Sequence, residues 1–319
     1  MRYQHFAPLK RDISVLVLGT SLYRRADAAT SLELLDAWLE LGGNAIDCGR
    51  EYGESERVLG RWLSDRGCLD NVVVLTKGAH QDADRRRVTP RDITADLVES
   101  LSVLGVDAID IYMLHRDDPS QPVGPLVEVL NEHRRASRIC AFGASNWSTD
   151  RLDEAAAYAR KHELEGFSCS SPGLSLARPS EAPWPDCVTA DDAGSRAWYE
   201  RTGMPLFAWS SQAAGFFAGV TGPDIVRVYG GDRNLERFCR ASELGRRIGR
   251  TANQVALAWV LQQPFPIHAI IGPRTVDELH GSVAALEIEL TREEWRWLDL
   301  ETESVPATGD HDLRRVESR

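Results

Sequence analysis

Four side chains that can carry charge or exchange protons stand at or just beyond the ends of short apolar segments: Asp47, Tyr52, Lys77 and His115. A tyrosine can protonate a carbonyl oxygen, and a nearby lysine cation favours the ionised phenol and so lowers its pKa. An aspartate would hold the lysine, and a histidine would orient the carbonyl by donating a hydrogen bond. Taken singly, each residue also fits a buried ion pair or a core side chain. Together they indicate proton transfer to a carbonyl.

The elements that would position these residues alternate along the chain. Short apolar segments are followed by stretches with helical periodicity, which is typical of βαβ units around a parallel sheet. The pattern predicts strands at 14–18, 44–46, 72–76, 108–114, 139–143, 166–170, 205–210 and 267–271. It predicts helices at 28–41, 55–63, 90–104, 123–135, 151–160 and 251–261. In a parallel barrel the carboxyl ends of the strands meet on one face, where active sites of this architecture lie.

Four segments carry a family resemblance. NAIDCGREYGESE (44–56), LTKG (75–78), MLHR (113–116) and FGASNW (142–147) resemble, in the same order, motifs of the aldo-keto reductases. The resemblance implies one (β/α)8 TIM-barrel domain over residues 1–319. It also implies an oxidoreductase that reduces an aldehyde or ketone with NADP(H), with Tyr52 as general acid/base and Asp47, Lys77 and His115 in support.

The resemblance extends to a nicotinamide cofactor site. This family needs no Rossmann loop, in agreement with the absence of G-x-G-x-x-G after the first predicted strand. Ser145 and Asn146 match the pair that holds the nicotinamide carboxamide, and Trp209 matches the ring beneath the nicotinamide, although it could simply be a core residue. Further cofactor-binding positions implied in this way are Ser171, Ser210, Gly272, Glu278 and Ser282.

Arg274 is the candidate ligand of a cofactor 2′-phosphate. It precedes a predicted helix with a capping-box pattern, whose N-terminus could receive a phosphate, although an ordinary surface arginine is the alternative. Two departures from the family pattern leave NAD(H) possible. The segment SPGLSL (171–176) replaces Gln-Pro-Glu-Tyr-Ser-Leu, and Gly281-Ser282 replaces Glu-Asn near the adenine end.

The substrate side of the predicted site is less regular. Residues 178–201 contain three prolines and Trp184, and we predict that this segment is an insertion that folds over the barrel mouth, with a plain insertion as the alternative. Trp184, Phe216 and Phe217 are candidate substrate contacts, with apolar loop packing as the alternative for all three. The charged tail at 301–319 is predicted to be mobile.

Composition excludes several classes of function. A net charge of −11 disfavours nucleic acid or an anionic membrane as a partner, and no apolar run is long enough for a membrane span or a signal peptide. The six cysteines show no C-x-x-C spacing, so we expect neither disulfides nor a metal site. A cytoplasmic enzyme that acts on a small carbonyl compound is the prediction, and the oligomeric state stays open.

Two other functions are compatible with the same residues. Some relatives resemble potassium-channel β subunits and bind NADP(H) chiefly to report redox state. The tetrad could also serve redox-neutral dehydration or epimerisation with a tightly held cofactor. Function has to be argued from the site, because one fold serves many activities.

Overall fold

The computed structural model describes residues 1–24 and 28–304. Eight parallel strands form the barrel: β3 (Leu16–Gly19), β4 (Ala45–Asp47), β5 (Val73–Gly78), β6 (Ile109–Leu114), β7 (Ile139–Ser145), β8 (Ser170–Ser171), β9 (Leu206–Ala208) and β10 (Ile267–Ile271). The barrel is closed, and its strands follow one another in the order β10-β3-β4-β5-β6-β7-β8-β9. The predicted (β/α)8 barrel is confirmed.

Helices cover the outside of the barrel. Within the described residues they are α1 (Ala28–Glu40), α2 (Ser55–Arg66), α3 (Pro90–Leu104), α4 (Val123–Arg135), α5 (Thr149–Lys161), α6 (Ala193–Thr202), α7 (Pro223–Tyr229), α8 (Asp232–Ile248), α9 (Ala252–Leu261), α10 (Val276–Ala284) and α11 (Arg292–Leu298). Capping side chains and glycines determine where helices begin and end, as α3 illustrates. The Thr89 side chain accepts a hydrogen bond from Asp92 N at the start of α3, and Gly105, at φ 68°, ends that helix. No helix of the described residues is long and apolar enough to cross a membrane.

The barrel interior is filled by side chains that alternate along each strand. Because successive residues of a strand point to opposite faces, every second residue of a barrel strand points inward. The inward residues form one closed apolar cluster, which includes Val17, Ala45, Val73, Leu75, Ile111, Met113, Ala141, Cys169, Phe207 and Ile270. The interior is therefore a packed core, and the face on which active sites of this architecture lie is above it, at the carboxyl ends of the strands.

A hairpin closes the opposite end of the barrel. Its strands, β1 (Tyr3–Phe6) and β2 (Arg11–Ser14), pair antiparallel, and its Phe6 ring lies 6.1 Å from the ring of Phe207 inside the barrel. The sequence did not predict this hairpin, and the predicted strand at 14–18 runs across the boundary between β2 and β3. Both hairpin strands are four residues long, too short for their alternation to be distinctive.

The segment at 178–201 is less irregular than the sequence predicts. Helix α6 occupies its last part and begins after Asp192, whose side chain accepts a hydrogen bond from Ser195 N. The preceding loop crosses the barrel mouth, where Val188 O accepts from Gly173 N at 2.9 Å. Of the predicted mobile tail, positions 305–319 lie outside the described residues.

A buried aspartate holds both ends of this segment. The Asp299 carboxylate lies 2.8 Å from Arg178 and 2.8 Å from Arg196, and 3.5 Å from the buried Arg237. Burial, with the charge of Arg178, lowers the pKa of Arg237 to about 10, and the negative charge of Asp299 opposes this shift. Three guanidinium groups thus share one fully buried counter-charge, which fixes the loop and α6 to the end of α11.

We expect Asp299→Ala to lower the free energy of unfolding by about 3–5 kcal/mol, because three partly or fully buried cations lose their shared counter-charge. Asp224→Ala is the matched control, since Asp224 is exposed and pairs with Arg227 at 3.5 Å. The control should change stability by less than about 1 kcal/mol. Urea unfolding followed by tryptophan fluorescence measures both, and equal effects would show that Asp299 does not hold the segment.

Candidate active site

A layer of polar and aromatic side chains covers the apolar core of the barrel. Asp47, Lys77 and His115 each stand two residues beyond an inward apolar residue, namely Ala45, Leu75 and Met113. The same spacing relates Ser145 to Ala141 through Gly143, Ser171 to Cys169, Trp209 to Phe207 and Gly272 to Ile270. Strand alternation therefore directs these predicted site residues toward the barrel mouth.

Lys77 and Asp47 form a buried ion pair. The Lys77 ammonium donates to Asp47 Oδ1 and, at 3.0 Å, to the carbonyl oxygen of Cys48. Asp47 is paired with Leu75 in the β4–β5 register, so Lys77 stands one inward position further along the neighbouring strand. Burial acts to lower the pKa of Lys77, but the negative charge of Asp47 is the largest of the opposing effects, and the pKa is raised. Lys77 is therefore a cation at neutral pH.

The third hydrogen bond of this ammonium reaches Tyr52. Lys77 Nζ lies 3.4 Å from the Tyr52 hydroxyl and 4.9 Å from the ring centroid. Tyr52 lies in the turn between β4 and α2. Burial raises the pKa of its phenol above the ordinary value, and the cation of Lys77 opposes the rise without cancelling it. The net direction is thus opposite to the lowering expected from the sequence, and the phenol is protonated at neutral pH.

His115 faces Tyr52 across the mouth. The two rings meet edge-on with centroids 5.6 Å apart. Burial lowers the pKa of His115 well below its usual value, and the neighbouring Lys77, Arg116 and His80 lower it further. The imidazole is therefore neutral at neutral pH and can donate a hydrogen bond. Its Nδ1 is buried and has no hydrogen-bond partner in the described part of the chain.

Asn146 and the two serines beside it form one hydrogen-bonded group. Ser145 Oγ donates to Ser171 O at 2.9 Å, and Asn146 Nδ2 donates to Ser145 Oγ and to His115 O, each at 3.1 Å. Ser171 Oγ donates to Phe207 O at 2.8 Å. Asn146 has φ 59°, a left-handed conformation that asparagine tolerates. Its Oδ1 accepts from Val188 N at 3.2 Å, which ties the loop to the polar layer.

The Trp209 ring packs directly against the backbone of Gly173. A Cβ at Gly173 would come within 2.7 Å of the Trp209 ring, so the close approach requires glycine. The Trp209 Nε1 is buried and has no hydrogen-bond partner among residues 1–24 and 28–304. Trp184 is 57% exposed, and its ring centroid lies 6.0 Å from that of Trp209. The two indoles thus border the mouth on the loop side.

Ser210, Phe216 and Phe217 lie in the segment that follows β9. Burial raises the pKa of Tyr229 to about 12, and a hydrogen bond with Ser210 opposes the rise. The Phe216 and Phe217 rings lie 5.2 Å apart, and both contact Phe238. Phe217 is buried, whereas Phe216 is partly exposed. This geometry is that of an aromatic cluster under the loop.

The predicted phosphate end lies at the start of α10. Arg274 is exposed, and its guanidinium lies 3.0 Å from the Glu278 carboxylate, which also accepts from Arg274 N at 2.7 Å. Ser282 Oγ accepts from Gln212 Nε2 at 3.3 Å and so links α10 to the loop after β9. Gly272 precedes this end, and a Cβ there would lie 3.9 Å from a methyl carbon of Leu22, an ordinary van der Waals contact. A phosphate held by Arg274 would therefore share the guanidinium with Glu278.

Two residues at the mouth, His80 and Arg116, were not predicted from the sequence to be site residues. The His80 ring lies 4.8 Å from that of His115, and the buried Arg116 donates to the carbonyl of His115 at 3.0 Å. Both follow closely after a predicted site residue, and this adjacency was the available signal. Within the described residues, no group of three or more His, Cys, Asp or Glu is arranged to hold a metal ion.

Comparison with known proteins agrees with this geometry. Residues 15–300 match the model of the aldo/keto reductase family. An uncharacterized oxidoreductase of Bacillus subtilis, YrpG, is 27% identical over 94% of this chain and 95% of its own length. Norsolorinic acid reductase stcV of Emericella nidulans is 29% identical over 83% of this chain and 70% of its own length. A Schizosaccharomyces pombe protein proposed to be a voltage-gated potassium channel β subunit is 25% identical over 80% of this chain and 78% of its own length.

The family match spans the whole barrel and every strand end that contributes to the polar layer. The relatives include proteins named as an oxidoreductase and a reductase. Membership of this family also agrees with the sequence motifs, with the closed barrel and with the contacts among Asp47, Tyr52, Lys77 and His115. The chain belongs to the aldo/keto reductase family and is an oxidoreductase.

Proposed function

We propose that this enzyme reduces an aldehyde or ketone with NADPH and that Tyr52 donates the proton. The observation that carries the proposal is the single ammonium of Lys77, which bonds to both Asp47 and the Tyr52 hydroxyl. A phenol whose pKa is raised by burial is fully protonated at neutral pH, and a cation beside it stabilises the phenolate left after proton transfer.

The chain's own residues act on the carbonyl oxygen. A bound nicotinamide would supply the hydride for the carbonyl carbon. Tyr52 transfers its hydroxyl proton to the oxygen, and the resulting phenolate is balanced by Lys77. The neutral His115 donates a hydrogen bond to the same oxygen and orients it. Asp47 keeps Lys77 charged and in place.

Unpaired polar atoms in the mouth support a polar ligand there. His115 Nδ1 and Trp209 Nε1 are buried without a hydrogen-bond partner among the described residues. Asn146 Oδ1 accepts one hydrogen bond, from Val188, and retains a lone pair for a carboxamide. Ser145, Asn146 and Trp209 would hold the nicotinamide, with Ser171 and Ser210 beside them. Gly272, Arg274, Glu278 and Ser282 would hold the other end of NADP(H).

The loop over the mouth is the proposed source of substrate selectivity. Trp184 offers an exposed indole next to Trp209, suited to contact with an apolar or ring-shaped substrate. Phe216 would contribute its exposed edge, while Phe217 supports it from below.

A redox-sensing regulatory role is the second candidate, favoured by the 25% identity to the proposed channel subunit. A regulatory subunit of this kind would bind NADPH, reduce no carbonyl compound and form a stable complex with a partner. Turnover of a panel of aldehydes and ketones, followed by the loss of NADPH absorbance, separates the two candidates.

We expect Tyr52→Phe to reduce kcat for the best carbonyl substrate by about 10²- to 10⁴-fold, because the proton donor is lost. The Kd of NADPH should change little, since the phenol is proposed to act on the substrate oxygen. Tyr3→Phe is the matched control, because Tyr3 lies on the hairpin at the far end of the barrel and bonds to Gly42 O. Equal turnover by Tyr52→Phe and wild type would remove Tyr52 from the mechanism.

For the cofactor, we expect Arg274→Ala to weaken NADPH binding by about tenfold and NADH binding far less, because only NADPH carries a 2′-phosphate for the guanidinium. Arg292→Ala tests a general loss of positive charge, since Arg292 is exposed at the start of α11. Calorimetry with both cofactors provides the measurement. Identical losses for NADPH and NADH would place the phosphate elsewhere.

A further inference from the structure

Arg116 is a buried cation at the barrel mouth that has no role in the mechanism above. It directly follows His115 at the end of β6, and only 7% of the residue is exposed. Its Nη1 donates to His115 O at 3.0 Å. Its Nε is buried and makes no hydrogen bond to any residue that the structure describes. A guanidinium has five N–H donors, so most of its bonding capacity is left for a ligand.

The acidic residues near Arg116 are engaged elsewhere. The neighbouring Asp117 carboxylate binds Arg151 through both oxygens, at 3.0 and 3.2 Å. Asp186, on the loop above, lies 3.0 Å from Arg86. Across residues 1–24 and 28–304, no carboxylate lies within 4.0 Å of the Arg116 guanidinium. Burying a cation without a counter-charge is unfavourable, so the fold retains this arginine at a cost in stability.

The guanidinium borders the space in which a carbonyl would react. It shares the His115 carbonyl with Asn146 Nδ2, which lies 3.1 Å from that oxygen. Burial dominates the pKa values of Tyr52, His115 and Cys187, and the positive charge of Arg116 lowers each of them as a further cause. Arg116 therefore lies close to the proton donor, to the imidazole and to the loop that covers the mouth.

We propose that Arg116 binds a carboxylate of the substrate, so that the enzyme acts on oxo acids, compounds with a carbonyl group and a carboxylate in one molecule. The planar guanidinium matches a carboxylate through two parallel hydrogen bonds. This inference rests on the proposed carbonyl reduction. A cofactor phosphate has related anionic chemistry, but the candidate phosphate ligand Arg274 lies at the start of α10, whereas Arg116 adjoins His115.

The test uses two aldehydes that differ in one charge, 4-carboxybenzaldehyde and its methyl ester. We expect Arg116→Met to lower kcat/KM for the acid by about 10- to 100-fold, chiefly through KM, and for the ester by less than about threefold. Arg116→Lys should restore part of the loss, because it keeps the charge without the planar fork. Arg86→Met is the matched control, since Arg86 is a mouth arginine already paired with Asp186.

Three outcomes would overturn the inference. An equal loss for the acid and the ester would make Arg116 a structural residue. A rise in the Kd of NADPH in Arg116→Met, with no discrimination between the aldehydes, would make a cofactor phosphate its anion. If the wild type reduces neither aldehyde, calorimetry with benzoate still tests Arg116. In that case, benzoate binding that is unchanged in Arg116→Met would overturn the inference. The proposed function is tested separately, because it fails only if the wild type reduces no compound of the carbonyl panel.

Discussion

The buried ammonium of Lys77 is the constraint on which the candidate site depends. A charge removed from water must be neutralised, and Asp47 is the group that does so, from the neighbouring strand. The remaining hydrogen-bonding directions of the ammonium are then fixed, one toward Cys48 O and one toward the Tyr52 hydroxyl. The position and protonation of the phenol thus follow from how the barrel satisfies a single buried cation.

The electrostatic character of the mouth follows from the same arrangement. Lys77 and Arg116 are cations, Asp47 is the counter-charge of the first, and burial keeps His115 neutral. Negative charge that develops on a carbonyl oxygen beside Tyr52 would be stabilised by Lys77 and by the neutral His115, because oriented donors act strongly where water is excluded. An anionic substituent would be favoured as well. The loop tied to Asn146 and to Asp299 borders the mouth on one side.

Much of the fold and of the candidate site could be predicted from the sequence, because the patterns that indicate them lie within short segments of the chain. Strand β10 and helix α4 have the predicted bounds, and the motif residues fall at strand ends where alternation directs them inward. Other features depend on distant packing. The sign of the Tyr52 pKa shift reflects burial, which no spacing reveals. Helix α6 lies in a segment rich in proline, and the free guanidinium of Arg116 is recognisable only once the partners of Asp117 and Asp186 are known.

In this arrangement the Lys77 cation acts directly on the Tyr52 phenol. NMR of protein labelled with ¹³C at tyrosine Cζ measures this without a substrate, with the Tyr52 signal assigned from its absence in Tyr52→Phe. Wild type, Lys77→Arg and Lys77→Met would be titrated to high pH. We expect Tyr52 to ionise at distinctly higher pH in Lys77→Met than in wild type, because the cation that opposes the effect of burial is gone, and we expect Lys77→Arg to stay close to wild type. The same ionisation pH in all three proteins would show that Lys77 does not act on the phenol.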